Sequence, residues 1–231
     1  MSQQTDIEEL AKVALLNGLK PHHLAKVNSV IVCQTFPAET NILRIHQPGN
    51  AVYIIKRGSV KITLDRPNEP SVILGILGAG EVLGEISVVD GLGHSADVIT
   101  LEDCELYWLQ SDVFLECLVN MPTMAFNLAS VLTRRMRLAT AQIQSLATQD
   151  VYGRTARQLL AFANAYGYEN EEGQTVIPVR LTQHSLAGLI GASRVRVNQV
   201  LTAFKREGFI SVGPHHYFII HDRAALASYC S

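Results

Sequence analysis

Two stretches of this chain carry residue types at spacings that could bind a ligand. In "GEISVVDGLGHSADV", residues 84–98, Gly84 and Glu85 open a short run through Ile86 and Ser87, Gly91-Leu92-Gly93 interrupts it, and His94-Ser95 resumes. A glycine-opened helical turn presents free backbone N–H groups and Glu85 adds an acceptor, which together suit a small anionic ligand bearing hydroxyls. No Lys or Arg lies within the stretch to neutralise an anion. The other stretch, "LTQHSLAGLIGASRVRVNQVLTAFKREGFI", residues 181–210, reads as a helix-turn-helix. Thr182 caps a first helix carrying Leu186, Leu189 and Ile190; Gly191 supplies the turn; Ser193 caps a second helix with Val197, Val200, Leu201 and Phe204 on its inner face. The opposite face carries Arg194, Val195, Asn198, Gln199 and Thr202, with Arg196 on the flank. Such a face matches the donor and acceptor edges of the DNA major groove, and Lys205, Arg206, Thr182 and Gln183 are placed for phosphates. "FISVGPHHYFIIHD" then returns as two short strands about a Gly-Pro turn, a wing.

The elements that must hold these residues follow from texture. The first ~30 residues repeat Leu, Val and Ala at helical spacing, with Pro21 between two runs. From Ile31 to Leu109 short β-branched runs alternate with turns, and eight of the sixteen glycines fall between 49 and 93, which predicts an antiparallel sandwich or jelly roll. "SDVFLECLVN" predicts a short helix capped by Ser111. Pro122 starts a helix of roughly 25 residues, about 38 Å long. Its Ala125, Leu128, Leu132, Met136, Ala139, Ile143 and Leu146 form one narrow stripe. A narrow seam favours a two-stranded coiled coil and a homodimer; the alternative is a helix lying across its own sandwich. "QDVYGRTARQLLAFANAYG" restarts helix after a break near Asp150–Gly153, which reads as a hinge, and "TVIPV" reads as a strand.

With 231 residues, 48% hydrophobic and 17% charged, the chain suits a soluble globular protein of two modest domains. The polar start "MSQQTDIEEL" is not a signal peptide, and no apolar run is long enough to span a bilayer. Cys33, Cys104, Cys117 and Cys230 form no CxxC pair, so neither disulfides nor zinc are expected, and a reducing cytoplasm is. Residues 1–150 hold 11 Lys and Arg against 16 Asp and Glu, whereas residues 151–231 hold 8 against 5, three of these in "YENEEG". A basic module joined to an acidic one points to a polyanionic partner for the former. A jelly-roll metal enzyme would need clustered His and carboxylate ligands. His46 stands isolated, and His215 and His216, adjacent on a strand, point to opposite faces, so no metal site and no catalytic constellation are expected.

Taken together, "GEIS…GHSA", "DVYGRTARQLL" and "LAGLIGASRVRVNQVL" make the chain resemble, over essentially its whole length, the cyclic-AMP receptor protein (CRP/FNR) family of bacterial transcription regulators. The resemblance implies an α+β fold: an N-terminal cyclic-nucleotide-binding-type jelly roll with preceding helices (1–121), a dimerisation helix (122–149) and a C-terminal winged helix-turn-helix (150–231). It implies a homodimer on a pseudo-palindromic operator, with RNA polymerase as a further partner. The DNA-binding residues expected are Thr182, Gln183, Ser193, Arg194, Val195, Arg196, Asn198, Gln199 and Lys205. The effector-binding residues expected are Gly84, Glu85, Ile86, Ser87, His94, Ser95, Arg135 and Thr140.

The resemblance has departures. His94 stands where the family's phosphate-binding Arg belongs, and Ala139-Thr140 stands where two hydroxyl residues are usual, so Thr140 alone keeps a base contact. Losing a charge-assisted fork costs about 1.5–3 kcal/mol. Cyclic AMP is therefore a candidate but not a favoured effector. A cyclic dinucleotide (c-di-GMP) is an alternative, with Arg44, Arg57, Arg66, Arg134, Arg135 and Arg137 as candidate partners, and a constitutive or partner-controlled regulator with a relic pocket is another. The first 32 residues lack the cysteines an iron–sulfur sensor needs, and a haem would find only His46 and His94. In the recognition helix, Arg194-Val195 replaces the family receptor's Arg-Glu and Gln199 replaces a later Arg, so the guanine read by Arg194 is expected to persist while neighbouring positions change.

Overall fold

Glycine and proline set the frame of the N-terminal half. The computed structural model describes residues 7–66, 69–213 and 217–230, and these divide into two compact units. One is built from residues up to Leu64 and from Ile76 to Arg137; the other from Asp65 to Gly75 and from Leu138 onward.

In the first unit the expected helical start is broken into α1 (Ile7–Ala11), a 3-10 turn at Ala14–Leu16, and α2 (Pro21–Val30), which has Pro21 in its first turn. Strands follow as β1 (Val32–Phe36), β2 (Asn41–Leu43), β3 (Ala51–Arg57), β4 (Val60–Arg66), β5 (Glu69–Leu77) and β6 (Val82–Leu83). After α3 (Glu85–Asp90) come β7 (Asp97–Thr100), β8 (Cys104–Gln110) and α4 (Ser111–Asn120). They form two four-stranded sheets, ordered β1-β8-β3-β6 and β2-β7-β4-β5. Alternation along β3 and β8 divides the core in two. Val52, Ile54, Tyr107 and Leu109 face Leu10, Leu16, Phe114 and Met124 of the helices. Ile55, Cys104 and Leu106 face Leu43, Val60 and Val98 of the opposite sheet. The tight β3–β4 turn needs Gly58: its φ is +93°, and a Cβ there would sit 2.6 Å from Cys104 Sγ.

Ser111 does not cap α4. Gln110 holds the cap position without a side-chain bond, and the Ser111 N–H is already spent on the Asn50 carbonyl at 3.0 Å. The long helix α5 runs Pro122–Thr148, as its periodicity predicts. The expected stripe divides along its length, with Met136, Ala139, Ile143 and Leu146 exposed. Leu128 is buried and Leu132 half-buried against the helix's own core, together with Met124. Exposed throughout is the row Phe126, Ala129, Thr133, Met136, Thr140, Ile143 and Ala147, spaced alternately three and four apart. Met136 and Ile143 belong to both rows.

In the second unit the helical break is narrower than the expected hinge, only Gln149–Asp150. Asp150 Oδ1 accepts from the Gly153 N–H at 2.9 Å and starts α6 (Val151–Tyr166), so Gly153 is a helical residue. Strands β9 (Tyr168–Glu169) and β10 (Thr175–Ile177) precede α7 (Gln183–Ile190) and α8 (Arg194–Arg206). Then come β11 (Ile210–Val212), β12 (Phe218–Ile220) and α9 (Arg223–Ser228). One sheet orders them β11-β12-β10-β9. The expected wing is the β11–β12 pair; its Pro214 turn and His215-His216 lie outside the described residues.

Candidate functional site

In the first unit, Gly84, Glu85, Ile86, Ser87, His94, Ser95 and Arg135 line a single cavity, closed by Leu43, Ile62, Leu83 and Val98. Gly84 has φ +80° and a Cβ there would meet the Ala51 carbonyl at 2.8 Å, so only glycine fits at the turn into α3. Ser87 Oγ donates to the Gly84 carbonyl at 2.9 Å and stands 2.8 Å from His94 Nδ1. With the hydroxyl proton so used, His94 Nδ1–H is the donor to Ser87, a tautomer assigned from the network. The His94 backbone is pinned on both sides: its N–H donates to Gln47 O at 2.9 Å, and its carbonyl accepts from His46 at 2.8 Å. Burial pushes the His94 imidazole below its ordinary pKa, which favours the neutral ring.

Positive charge does reach the cavity, from α5. Arg135 Nη1 donates to Glu85 Oε1 at 2.5 Å, and its Nη2 donates to Glu81 Oε2 at 3.0 Å and to the Val82 carbonyl at 2.6 Å. Arg134 Nη2 meets the other Glu81 oxygen at 2.5 Å. Glu81 and Glu85 side chains are only 6% and 2% exposed, so burial raises the pKa of each. For Glu81 the two guanidinium groups outweigh burial and hold the carboxyl below its usual range. For Glu85 burial prevails over the charge of Arg135, and its carboxyl is raised. Glu81 went unnoticed in the sequence; the signal was a second carboxylate four residues before Glu85, with the Arg134-Arg135 pair as its counter-charge.

The cavity measures about 60 Å³. Both terminal nitrogens of Arg135 are engaged by protein acceptors, so a phosphate reaches that guanidinium only by displacing one of them. Thr140 is outside the lining, five residues further along α5. Of the other arginines named above, Arg44, Arg57 and Arg137 are exposed and outside the lining, and the Arg66 side chain lies outside the described ones. Among the described residues no cluster of three or more His, Cys, Asp or Glu could hold a metal ion.

In the second unit, local signals produce the reading head as expected. Thr182 Oγ1 accepts from the Ser185 N–H at 3.0 Å, Gly191 takes φ +61° at the turn, and Ser193 Oγ accepts from the Arg196 N–H at 3.3 Å. Val197, Val200, Leu201 and Phe204 are buried. Arg194, Val195, Arg196, Asn198, Gln199, Thr202 and Lys205 are exposed, Val195 at 67%.

Two clefts flank α8. One, of about 510 Å³, is bordered by Thr182, Gln183, Arg194 and Lys205 together with His184, Val212 and Phe218. The other, of about 270 Å³, is bordered by Arg196 and Gln199 together with Asp150, Tyr152 and Arg154. His184, Tyr152 and Arg154 were not among the expected DNA contacts. Gln183 Nε2 donates to Asn198 Oδ1 at 2.7 Å, tying the first helix to the reading helix. Thr182's hydroxyl also pairs with that of Ser185 at 2.8 Å, so its oxygen serves the cap before any phosphate.

Both halves of the chain match domains of known proteins. Residues 33–120 match the cyclic nucleotide-binding domain, and residues 153–229 match the Crp-like helix-turn-helix domain. The CRP-like cAMP-activated global transcriptional regulator of Mycobacterium tuberculosis is 30% identical over 203 residues, covering 88% of this chain and 90% of the relative. The cyclic AMP receptor protein of Thermus thermophilus is 30% identical over 201 residues, 87% of this chain and 89% of the relative. Among solved structures, FixK2 from Bradyrhizobium japonicum aligns with a TM-score of 0.76 at 16% identity, covering 87% of this chain and 98% of that one, a likeness of fold. The chain belongs to the CRP/FNR family of DNA-binding transcription regulators.

Proposed function

We propose that this regulator works as a homodimer on a pseudo-palindromic duplex, reading bases with Arg194, Val195 and Gln199, bracing the reading helix with Asn198, and holding phosphates with Thr182, Gln183, Ser193, Arg196 and Lys205. The observation that carries this reading is the division of α8 into a buried apolar face and an exposed Arg/Asn/Gln face. An Arg donates bidentately to guanine O6 and N7, and an exposed valine packs on a thymine methyl. The seam Phe126–Met136–Ile143 is the surface through which two copies pair; RNA polymerase is the partner addressed on DNA. Residues 1–121 then form the sensing domain, 122–149 the dimer helix and 150–231 the reader. Among the described residues no single helix is long and apolar enough to cross a membrane, and the proposed place of action is the cytoplasm.

The effector site we assign is the cavity at Gly84, Glu85, Ile86, Ser87, His94, Ser95 and Arg135. A cyclic nucleotide is the ligand class, and the neutral His94 and the occupied Arg135 make its phosphate weakly held. The experiment is selection from random duplexes followed by binding at several salt concentrations, with and without cyclic AMP. A two-fold consensus retaining the Arg194 guanine, with affinity falling linearly in log salt, supports the reading. Enrichment of no sequence, or of the unmodified cyclic-AMP-receptor consensus, contradicts it.

A further inference from the structure

The segment Tyr229–Cys230 follows α9 and folds back onto the α5–α6 break. Gln149, the residue at that break, uses its whole amide. Its Oε1 accepts from Ser145 Oγ at 2.6 Å and from Arg157 Nε at 3.0 Å, and its Nε2 donates to the Cys230 carbonyl at 2.7 Å. Arg157 also reaches that carbonyl through Nη2 at 3.2 Å. One residue earlier, the Tyr229 carbonyl lies against α6, where a Cβ on Gly153 would come within 2.7 Å of it. The Tyr229 ring stacks on Tyr152 of α6 at 5.9 Å and 20°, and meets Phe204 of α8 edge-on at 5.2 Å. Phe204 is the buried anchor of the reading helix, 1% exposed. One short segment therefore touches the break after α5, the first half of α6 and the back of α8.

The break itself is two residues long, and Asp150 is extended, at φ −74° and ψ −179°. Two peptide units with ordinary freedom would let α6 and α8 swing about the end of α5. The polar clamp at Gln149 and the ring contact at Phe204 remove that freedom from opposite sides.

We propose that Tyr229 and Cys230, with Gln149 and Arg157 as their anchor, are positioning residues for DNA reading: they lock the direction of α8 against the last turn of α5. Resting on the two-fold reading above, the lock sets the spacing between the two α8 helices of a dimer, and so decides which half-site separations the regulator accepts. Tyr229 and Cys230 need touch neither DNA nor effector.

The test measures affinity of the full chain for its selected operator and for the same operator with about two base pairs inserted between half-sites, which displaces them from the one-turn separation. It compares wild type with a chain ending at Ser228, with Gln149→Ala, with Tyr229→Ala and with Tyr229→Phe; Gln149→Ala and Tyr229→Phe keep the experiment decisive where truncation disturbs folding. The wild type is expected to prefer the matched spacing strongly. The truncation, Gln149→Ala and Tyr229→Ala are expected to lose about tenfold or more of that preference, or about 1.4 kcal/mol. Tyr229→Phe, which keeps the ring contacts, retains it. A uniform loss of affinity on both operators with the preference intact means the segment only supports folding, and overturns the proposal. A wild type indifferent to spacing overturns the two-fold reading itself, and the proposal with it.

Discussion

Gln183 on α7 donates its amide N–H to Asn198 Oδ1 on α8, across the turn of the reading head. Asparagine recognises adenine with both its oxygen and its amide nitrogen. With Oδ1 already accepting from Gln183, Asn198 serves first as a strut between the two helices, and Arg194 is left as the main reader of bases. Arg194→Ala is expected to cost about 1–3 kcal/mol at one base pair per half-site and to relax preference there. Asn198→Ala is expected to lower affinity evenly across base variants. Titration against a set of singly substituted operators distinguishes the two patterns; a sharp, single-base defect for Asn198→Ala would refute the strut.

His94→Arg restores an always-charged group to the rim of the cavity. Calorimetry with cyclic AMP is expected to show affinity rising ten- to a hundredfold, corresponding to about 1.5–3 kcal/mol for a charge-assisted bond. An unchanged affinity would mean that the pocket rejects the nucleotide for some reason other than charge.

His94 also leaves a signature in acid. Burial holds its native pKa below the ordinary 6.5, so between those two values the unfolded chain binds more protons than the folded one. Its contribution to stability is therefore full above about pH 6.5 and declines as pH falls through the native pKa. Urea midpoints followed from pH 7.5 to 5, taken as the difference between wild type and His94→Gln, are expected to converge toward the acid end. A difference independent of pH contradicts the buried neutral tautomer.

Arg135→Ala strands Glu85 and removes one of the two guanidinium groups on Glu81. Removing one partner of a buried pair costs about 3–5 kcal/mol. Arg135 is 22% exposed and Arg134 remains on Glu81, so a loss of about 2–3 kcal/mol is expected here. Chemical denaturation measures it, and Glu85→Gln combined with Arg135→Ala is expected to recover part of the loss. Strictly additive losses would show that the two side chains do not interact.

Met136 is 74% exposed and Ile143 69% exposed on the outward row of α5. Replacing both by Arg puts facing like charges into the seam of a dimer. Sedimentation is expected to show single chains, with circular dichroism unchanged. A dimer that survives both charges places the interface elsewhere.

The parts of the fold visible in the sequence are those set by near neighbours. Thr182, Gly191 and Ser193 shape the reading head through bonds spanning a few residues, so their types and spacing suffice. The Gly84–Ser95 rim was visible for the same reason. The burial of Leu128 and Leu132 was not legible because the first half of α5 has apolar residues on two sides, those two inward and Phe126 outward, and periodicity alone does not say which side meets the helix's own core. Glu81 pairs with arginines more than fifty residues away, and Tyr229 with Tyr152 and Phe204; local pattern offers the residue types but not which distant ones meet.

The central claim is that two copies present two Arg194-led helices to one duplex. A hydroxyl-radical footprint on the selected operator measures this directly. Two protected patches related by a two-fold axis, with centres one helical turn (about 34–36 Å) apart, are the expected result. One unsymmetrical patch, or protection covering a single half-site at saturation, would contradict the account.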